Sequence, residues 1–160
     1  LLGDFDGNGD VGFTDFFLFA DAFGGNDPLF DLDDDGRVSF SDFFLFADNF
    51  GSNSRGKLMA LAKEYLGIET VKLEQNQPNP FNSETVIRFV LPEKQYVELT
   101  FYNLAGKQIS KLVEGIREAG VYTVSWNGHD EHGQALASGV YFYRLQAGGQ
   151  VEPRKLALLR

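Results

Sequence analysis

The sequence predicts an α+β multidomain chain, with a small all-α unit built on a duplicated acidic loop followed by an all-β antiparallel sandwich. Three observations carry this. A twelve-residue acidic loop recurs 27 residues later, and each copy is followed by an aromatic-rich segment of helical period. From Val71 onward the apolar residues alternate instead. Turn residues then separate about seven short alternating segments, the spacing of a sandwich.

The first loop runs Asp4-Phe5-Asp6-Gly7-Asn8-Gly9-Asp10-Val11-Gly12-Phe13-Thr14-Asp15. It returns as Asp31-Leu32-Asp33-Asp34-Asp35-Gly36-Arg37-Val38-Ser39-Phe40-Ser41-Asp42. Side-chain oxygens occupy loop positions one, three, five and twelve, glycine the sixth and valine the eighth, which is the ligand pattern of a helix-loop-helix calcium loop. Calcium is a hard cation that takes about six to eight oxygens. Asp4, Asp6, Asn8 and Asp15, with the backbone carbonyl of Asp10, are expected to hold one ion. Asp31, Asp33, Asp35 and Asp42, with the carbonyl of Arg37, are expected to hold a second. Gly9 and Gly36 sit where the chain must turn sharply and a Cβ would oppose the backbone. Val11 and Val38 are expected to pair the two loops.

Helices are expected over 15–24 and 42–51, with Thr14 and Ser41 as N-caps and Gly24 and Gly51 as left-handed stops. Phe13, Phe16, Ala20 and Phe23 share one face, as do Phe40, Phe43, Ala47 and Phe50, and the two faces are expected to form one aromatic core. Phe17, Leu18, Phe44 and Leu45 fall off that face. They are candidate interaction residues, covered either by a third helix or the next domain, or by a partner. Asn26-Asp27-Pro28 marks the turn between repeats. A third helix is expected over 57–66, with Leu58, Leu61, Ala62, Tyr65 and Leu66 on one stripe and Gly67 closing it.

Strands are expected near 72–75, 87–91, 97–101, 107–113, 122–126, 141–145 and 155–159, with Pro153 marking a sheet edge or bulge. The domains therefore read as 1–51, a connecting helix and linker over 52–70, and a sandwich over 71–160.

Residues 1–51 hold twelve aspartates and one base, Arg37, a charge of 1 − 12 = −11; the remainder has 13 bases and 11 acids, or +2, and the sum is the chain's −9. The acidity is that of the loops, and it argues against nucleic acid as a partner, since phosphate binding needs a basic face. The absence of cysteine excludes disulfides and thiolate metal sites. Calcium loops of micromolar or weaker affinity are most useful outside cells, so an extracellular or cell-surface location is expected. No apolar run is long enough for a transmembrane segment, and no signal-peptide pattern opens the chain. A start at Leu1 reads as the processed or truncated C-terminal part of something longer.

The two acidic segments, each a loop with one following helix and an aspartate in the closing position, resemble dockerin repeats. Dockerins bind cohesins through loop positions ten and eleven and the start of the helix. Here those positions are Phe13-Thr14 and Phe40-Ser41, and the basic residues many dockerins carry along the helix are absent. In the second half, Pro78-Asn79-Pro80-Phe81, Tyr102-Asn103-Leu104-Ala105-Gly106-Lys107, Ser138-Gly139-Val140-Tyr141-Phe142-Tyr143-Arg144-Leu145, Gly149 and Lys155 resemble the C-terminal sorting domain of type IX secretion cargo. The flagellar hook-capping immunoglobulin-like domain is similar to it. The likeness covers about residues 73–160 and implies an immunoglobulin-like sandwich from a bacterial surface protein.

His129-Asp130-Glu131-His132 is the one histidine cluster, but it falls between Asn127-Gly128 and Gly133 and reads as a solvated hairpin turn rather than a metal or acid-base site. Twelve of the sixteen phenylalanines precede residue 52; at helical spacing they read as core rather than as sugar-stacking platforms. No constellation supports an enzyme. The expected function is a non-catalytic, secreted module that binds two calcium ions and serves cell-surface sorting, anchoring or protein-protein interaction. The alternative is a structural subunit of an extracellular filament or surface layer, self-assembled through head-to-tail contacts made by the four candidate interaction residues and the last strand.

Overall fold

The computed structural model describes residues 1–51 and 54–160. These form two compact units, Leu1–Glu69 and Thr70–Arg160. Two positions of the expected connector, 52 and 53, lie outside the described residues.

In the first unit α1 spans Phe13–Ala22, α2 Phe40–Asn49 and α3 Arg55–Leu66. The first two helices start earlier than the sequence suggested, and their N-caps are Gly12 and Ser39 rather than Thr14 and Ser41. The cause is the closing aspartate of each loop. It lies three residues into the helix, and its Oδ2 accepts the cap N–H, from Gly12 at 2.8 Å and from Ser39 at 2.7 Å, the back-reaching half of a capping box. After α1, Gly24 takes the left-handed φ of 84° that was expected of it. Gly51 does not, although α2 ends as α1 does, with the Phe50 N–H on the Ala47 carbonyl where Phe23 donates to Ala20.

The buried stripe of α1 is rotated from the one read in the sequence, whereas in α2 the expected Phe43, Ala47 and Phe50 are buried and only Phe40 is not. Phe16, Phe19, Phe43 and Phe46 are fully buried, while Phe13, Ala20, Phe23 and Phe40 are half-buried. The rings obey a pseudo-two-fold relation between repeats. Phe19 stacks on its equivalent Phe46, centroids 5.6 Å apart and planes 11° from parallel. Around that pair, Phe13 meets Phe50 edge-on at 5.0 Å, and Phe40 meets Phe23 at 5.0 Å. Such edge and offset geometries suit the ring quadrupoles. Phe5 reaches in from the first loop to Phe30 at 4.5 Å.

Val38 pairs with Gly24 and Gly25 rather than with Val11: its carbonyl accepts from Gly24 at 2.8 Å and its N–H donates to Gly25 at 2.9 Å. The second loop is thereby tied to the chain leaving α1. In α3 the buried face is Leu58, Met59, Ala62 and Leu66. Tyr65, expected on that face, is instead 53% exposed and sets its ring edge-on to Phe17 at 5.4 Å. Gly67 closes the helix in the left-handed conformation, as its position after Leu66 predicted.

The second unit has seven strands, as the alternation required: β1 Lys72–Leu73, β2 Thr85–Leu91, β3 Gln95–Tyr102, β4 Gln108–Arg117, β5 Gly120–Trp126, β6 Gly139–Ala147 and β7 Gln150–Leu158. They form two antiparallel sheets, ordered β1-β2-β5 and β4-β3-β6-β7. The core between them includes Ile87, Phe89, Leu99, Phe101, Trp126, Tyr143 and Leu145. At its centre Trp126 stacks on Phe101, centroids 4.1 Å apart, and its Nε1–H donates to the His129 carbonyl.

Pro153 lies in β7, an outer strand of its sheet, where a missing N–H is tolerated. The free side of that strand, expected as a contact for a neighbouring copy, is closed by residues 73–81. Arg154 donates to the Leu73 carbonyl, Gln75 to Lys155 and Phe81 to Ala157, while the Ala157 N–H donates to Asn79 Oδ1 and that of Leu159 to the Phe81 carbonyl. Leu156 and Leu158 are buried in the strand's own core. A sheet edge covered in this way is a poor template for another chain.

The covering segment is held by Asn76, which is buried. Its amide donates to Thr85 Oγ1 at 3.0 Å and to the Pro78 carbonyl, and its backbone N–H donates to the Tyr143 hydroxyl at 2.8 Å. That hydroxyl donates in turn to the Glu74 carbonyl, and burial pushes its pKa up to about 12. Asn76→Ala is expected to lower the unfolding free energy of this unit by about 2 kcal/mol, the scale of leaving buried polar partners unpaired. Urea denaturation followed by Trp126 fluorescence reads this, and an unchanged midpoint would show that the network adds nothing.

Candidate metal centre

Both loops use the same backbone wiring. In the first, Asp4 accepts from the N–H groups of Asn8 at 3.1 Å and Gly9 at 2.9 Å, Asp6 from Asn8 at 3.0 Å, and Asn8 Oδ1 from Asp10 at 2.8 Å. In the second, Asp31 accepts from Asp35 and Gly36, Asp33 from Asp35, and Asp35 from Arg37. Asp15 Oδ1 accepts from Phe5 at 2.7 Å and Asp6 at 3.0 Å, as Asp42 Oδ1 does from Leu32 and Asp33. Gly9 and Gly36 hold φ of 92° and 89°, the turn the sixth position requires. Position four also turns left-handed, with φ 74° at Gly7 and 59° at Asp34. Glycine at one copy was the available signal for it; aspartate tolerates that region better than most residues.

This wiring turns side-chain oxygens toward one point. Carboxylate oxygens of Asp31, Asp33, Asp35 and Asp42 all lie within 4.8 Å of one another, as do those of Asp4, Asp6 and Asp15. Each carboxylate has about four lone-pair directions, so those engaged by amides retain capacity for another partner. Asp15 and Asp42 each accept three N–H groups, which leaves each about one further acceptor site. The donor set is oxygen throughout, the chemistry a hard cation takes.

The loops differ in charge. Asn8 Nδ2 donates to Asp6 Oδ2 at 3.0 Å, whereas its counterpart Asp35 is a second carboxylate facing Asp33. Burial, followed by the Asp42 charge and then that of Asp35, pushes the Asp33 carboxyl up to about 6 from its ordinary 3.8. The sign follows from linkage. A raised carboxyl pKa in the folded, metal-free unit favours folding as the pH falls through about 6 toward 3.8, while any cation there must displace that proton. A calcium ion, were it held by the second loop, is therefore expected to bind about tenfold more weakly at pH 5 than at pH 7, as one proton comes to compete. Calorimetric titration at the two values measures it; equal affinities would show that Asp33 is ionised throughout.

Among the candidate interaction residues, Phe17 and Leu18 are 42% and 38% exposed, whereas Phe44 is only 1% exposed and Leu45 is half-buried. The repeats thus differ on the face that the sequence treated as equivalent. Phe13 and Phe40 each make a T-shaped ring contact inside the unit, with Phe50 and Phe23, and Lys57 Nζ sits 4.9 Å from the Phe13 centroid. The histidine cluster forms a turn, with Asp130 Oδ1 accepting from the N–H groups of His132 and Gln134 at 2.9 Å. Those bonds, Gln134 first, hold the Asp130 carboxyl below its ordinary range. Among the described residues no helix is long and apolar enough to cross a membrane.

The FlgD Ig-like domain family matches residues 76–150. That stretch is similar to an Ig-like domain. Among solved structures, the latent dimeric PorU of Porphyromonas gingivalis is 18% identical with a TM-score of 0.47, over 58% of this chain and 10% of PorU. PorZ of the same organism, a surface component of its type-IX secretion system, is 18% identical with a TM-score of 0.40, over 58% of this chain and 12% of its own. FlgD of Xanthomonas campestris, which caps the flagellar hook, is 17% identical with a TM-score of 0.39, over 61% and 72% of the two chains. The chain thus spans about a tenth of PorU and PorZ. No protein of curated function matches the sequence.

Proposed function

We propose that this chain is a non-catalytic extracellular module whose first unit folds around two calcium ions and whose Ig-like unit serves surface sorting, anchoring or attachment to a protein partner. The observation that carries the reading is the duplicated wiring of the loops, in which equivalent amides hold equivalent oxygens and four carboxylates crowd within 4.8 Å in the second copy. Like charges that close repel unless a cation or proton lies between them. Asp4, Asp6, Asn8 and Asp15 would hold one ion with the Asp10 carbonyl, and Asp31, Asp33, Asp35 and Asp42 the other with that of Arg37. Bound calcium supplies positive charge that offsets the loop carboxylates. The match of residues 76–150 to the FlgD Ig-like domain supports a binding role for the second unit.

Because affinity follows ligand charge, the second loop, with four carboxylates against three, is expected to bind first and more tightly. Calorimetric titration of the full chain at neutral pH should resolve two sites, and Asn8→Asp should bring the weaker one toward the stronger. One site, or none, overturns the reading.

A further inference from the structure

The outward face of the four-stranded sheet carries a pocket suited to a second copy of this chain, an inference that rests on the reading of the chain as an interaction module. Tyr102 pairs with Phe142 across β3 and β6, and Arg144 with Pro153 across β6 and β7, so the register sets all four on one face. With Leu104 of the following turn, which is 69% exposed, they line a depression of about 340 Å³. The Arg144 guanidinium lies 5.1 Å from the Tyr102 ring centroid, and its Nη2 donates to the Tyr102 hydroxyl at 2.7 Å. Among the described residues no carboxylate pairs with Arg144. A guanidinium fixed against an aromatic wall, with donors to spare, fits a carboxylate flanked by apolar side chains.

The chain carries that complement on α1. Phe17 and Leu18 are the exposed apolar pair, and exposed Asp21 follows one turn later on the same helix face. The second repeat cannot offer it, because Phe44 is buried. Charge favours the same pairing, since residues 1–51 sum to −11 and the remainder to +2, and opposite potentials steer encounter. We propose that Phe17, Leu18 and Asp21 of one copy dock into the Tyr102–Arg144 pocket of another, with the apolar pair against Tyr102, Leu104 and Phe142 and the Asp21 carboxylate on the Arg144 guanidinium. The two surfaces are unlike, so each bound copy leaves one of each free and the contact propagates.

A charge swap tests this. Sedimentation velocity of the full calcium-loaded chain at low ionic strength should show concentration-dependent assembly. Arg144→Glu and Asp21→Arg should each weaken self-association about tenfold or more, the scale of losing a close charge pair. An equimolar mixture of the two variants should assemble again, because each reversed surface then meets its opposite. Both substitutions fall on accessible side chains, and unchanged far-ultraviolet circular dichroism and Trp126 fluorescence establish that the variants are folded. A wild-type chain that stays monomeric, a variant that assembles like wild type, or a mixture that remains monomeric each overturns the docking. Two calcium sites with no assembly would sink this inference alone; assembly without calcium sites would sink the calcium reading alone.

Discussion

Chelating calcium from the full chain is expected to abolish its helical circular dichroism while leaving the fluorescence of Trp126 unchanged. The three α-helices of the described residues lie in the first unit and the single tryptophan in the second. The first unit is short, and below roughly 70–80 residues a hydrophobic core seldom supplies more than about 3–5 kcal/mol. Its aromatic cluster must therefore work against crowded carboxylates that, without a cation, are relieved only by protonation. An ion bound to the folded form alone adds RT ln(1 + [L]/Kd), about 2.7 kcal/mol at a hundredfold excess over Kd, and two ions act together. Such a gain is comparable with the whole stability of a unit this size. The sandwich core, by contrast, is drawn from residues 71–158 and includes none of the loop carboxylates. If both signals vanish in one transition on chelation, the units fold as one and the proposed independence is wrong.

Much of this architecture was legible because period and spacing are local properties. The 27-residue repeat set both loops, and alternation after Val71 set seven strands close to where they lie. What the sequence concealed depends on partners far along the chain. The helical stripe was misplaced because α1 carries Phe13, Phe16, Phe17 and Phe19, with Phe23 just beyond it, so apolar rings point in several directions around one short helix. Only the packing of Phe19 on Phe46 decides which of those directions faces the core. The difference between Phe17 and Phe44 is equally invisible, since identical local sequences acquired different cover. Closure of β7 by residues 73–81 rests on hydrogen bonds spanning about eighty positions. In the loops the ligand types could be read, but not that Asp15 and Asp42 also organise the backbone.

That second role predicts a difference in kind between two loop substitutions. Asp15 is 0% exposed and accepts the N–H groups of Phe5, Asp6 and Gly12 at 2.7, 3.0 and 2.8 Å. It therefore joins the entry of the loop to the first turn of α1. Asp15→Ala removes one candidate ligand and also strips three amides of their acceptor, at about 1–3 kcal/mol for each amide left unpaired. A total of about 3 kcal/mol or more would exhaust a unit of this size. The Asp6 carboxylate, in contrast, is exposed and accepts from a single neighbour, Asn8. In a calcium titration followed by helical circular dichroism, Asp6→Asn is expected to move the midpoint to higher calcium while reaching the wild-type plateau. Asp15→Ala is expected to fall short of that plateau at any calcium concentration, and Asp42→Ala to behave likewise, since Asp42 holds Leu32, Asp33 and Ser39 in the same way. Gly12→Ala should be close to neutral, because its φ of −132° suits any residue and a Cβ there meets nothing within 4 Å. Full recovery of Asp15→Ala at high calcium would reduce that carboxylate to a ligand and remove it from the framework of the loop.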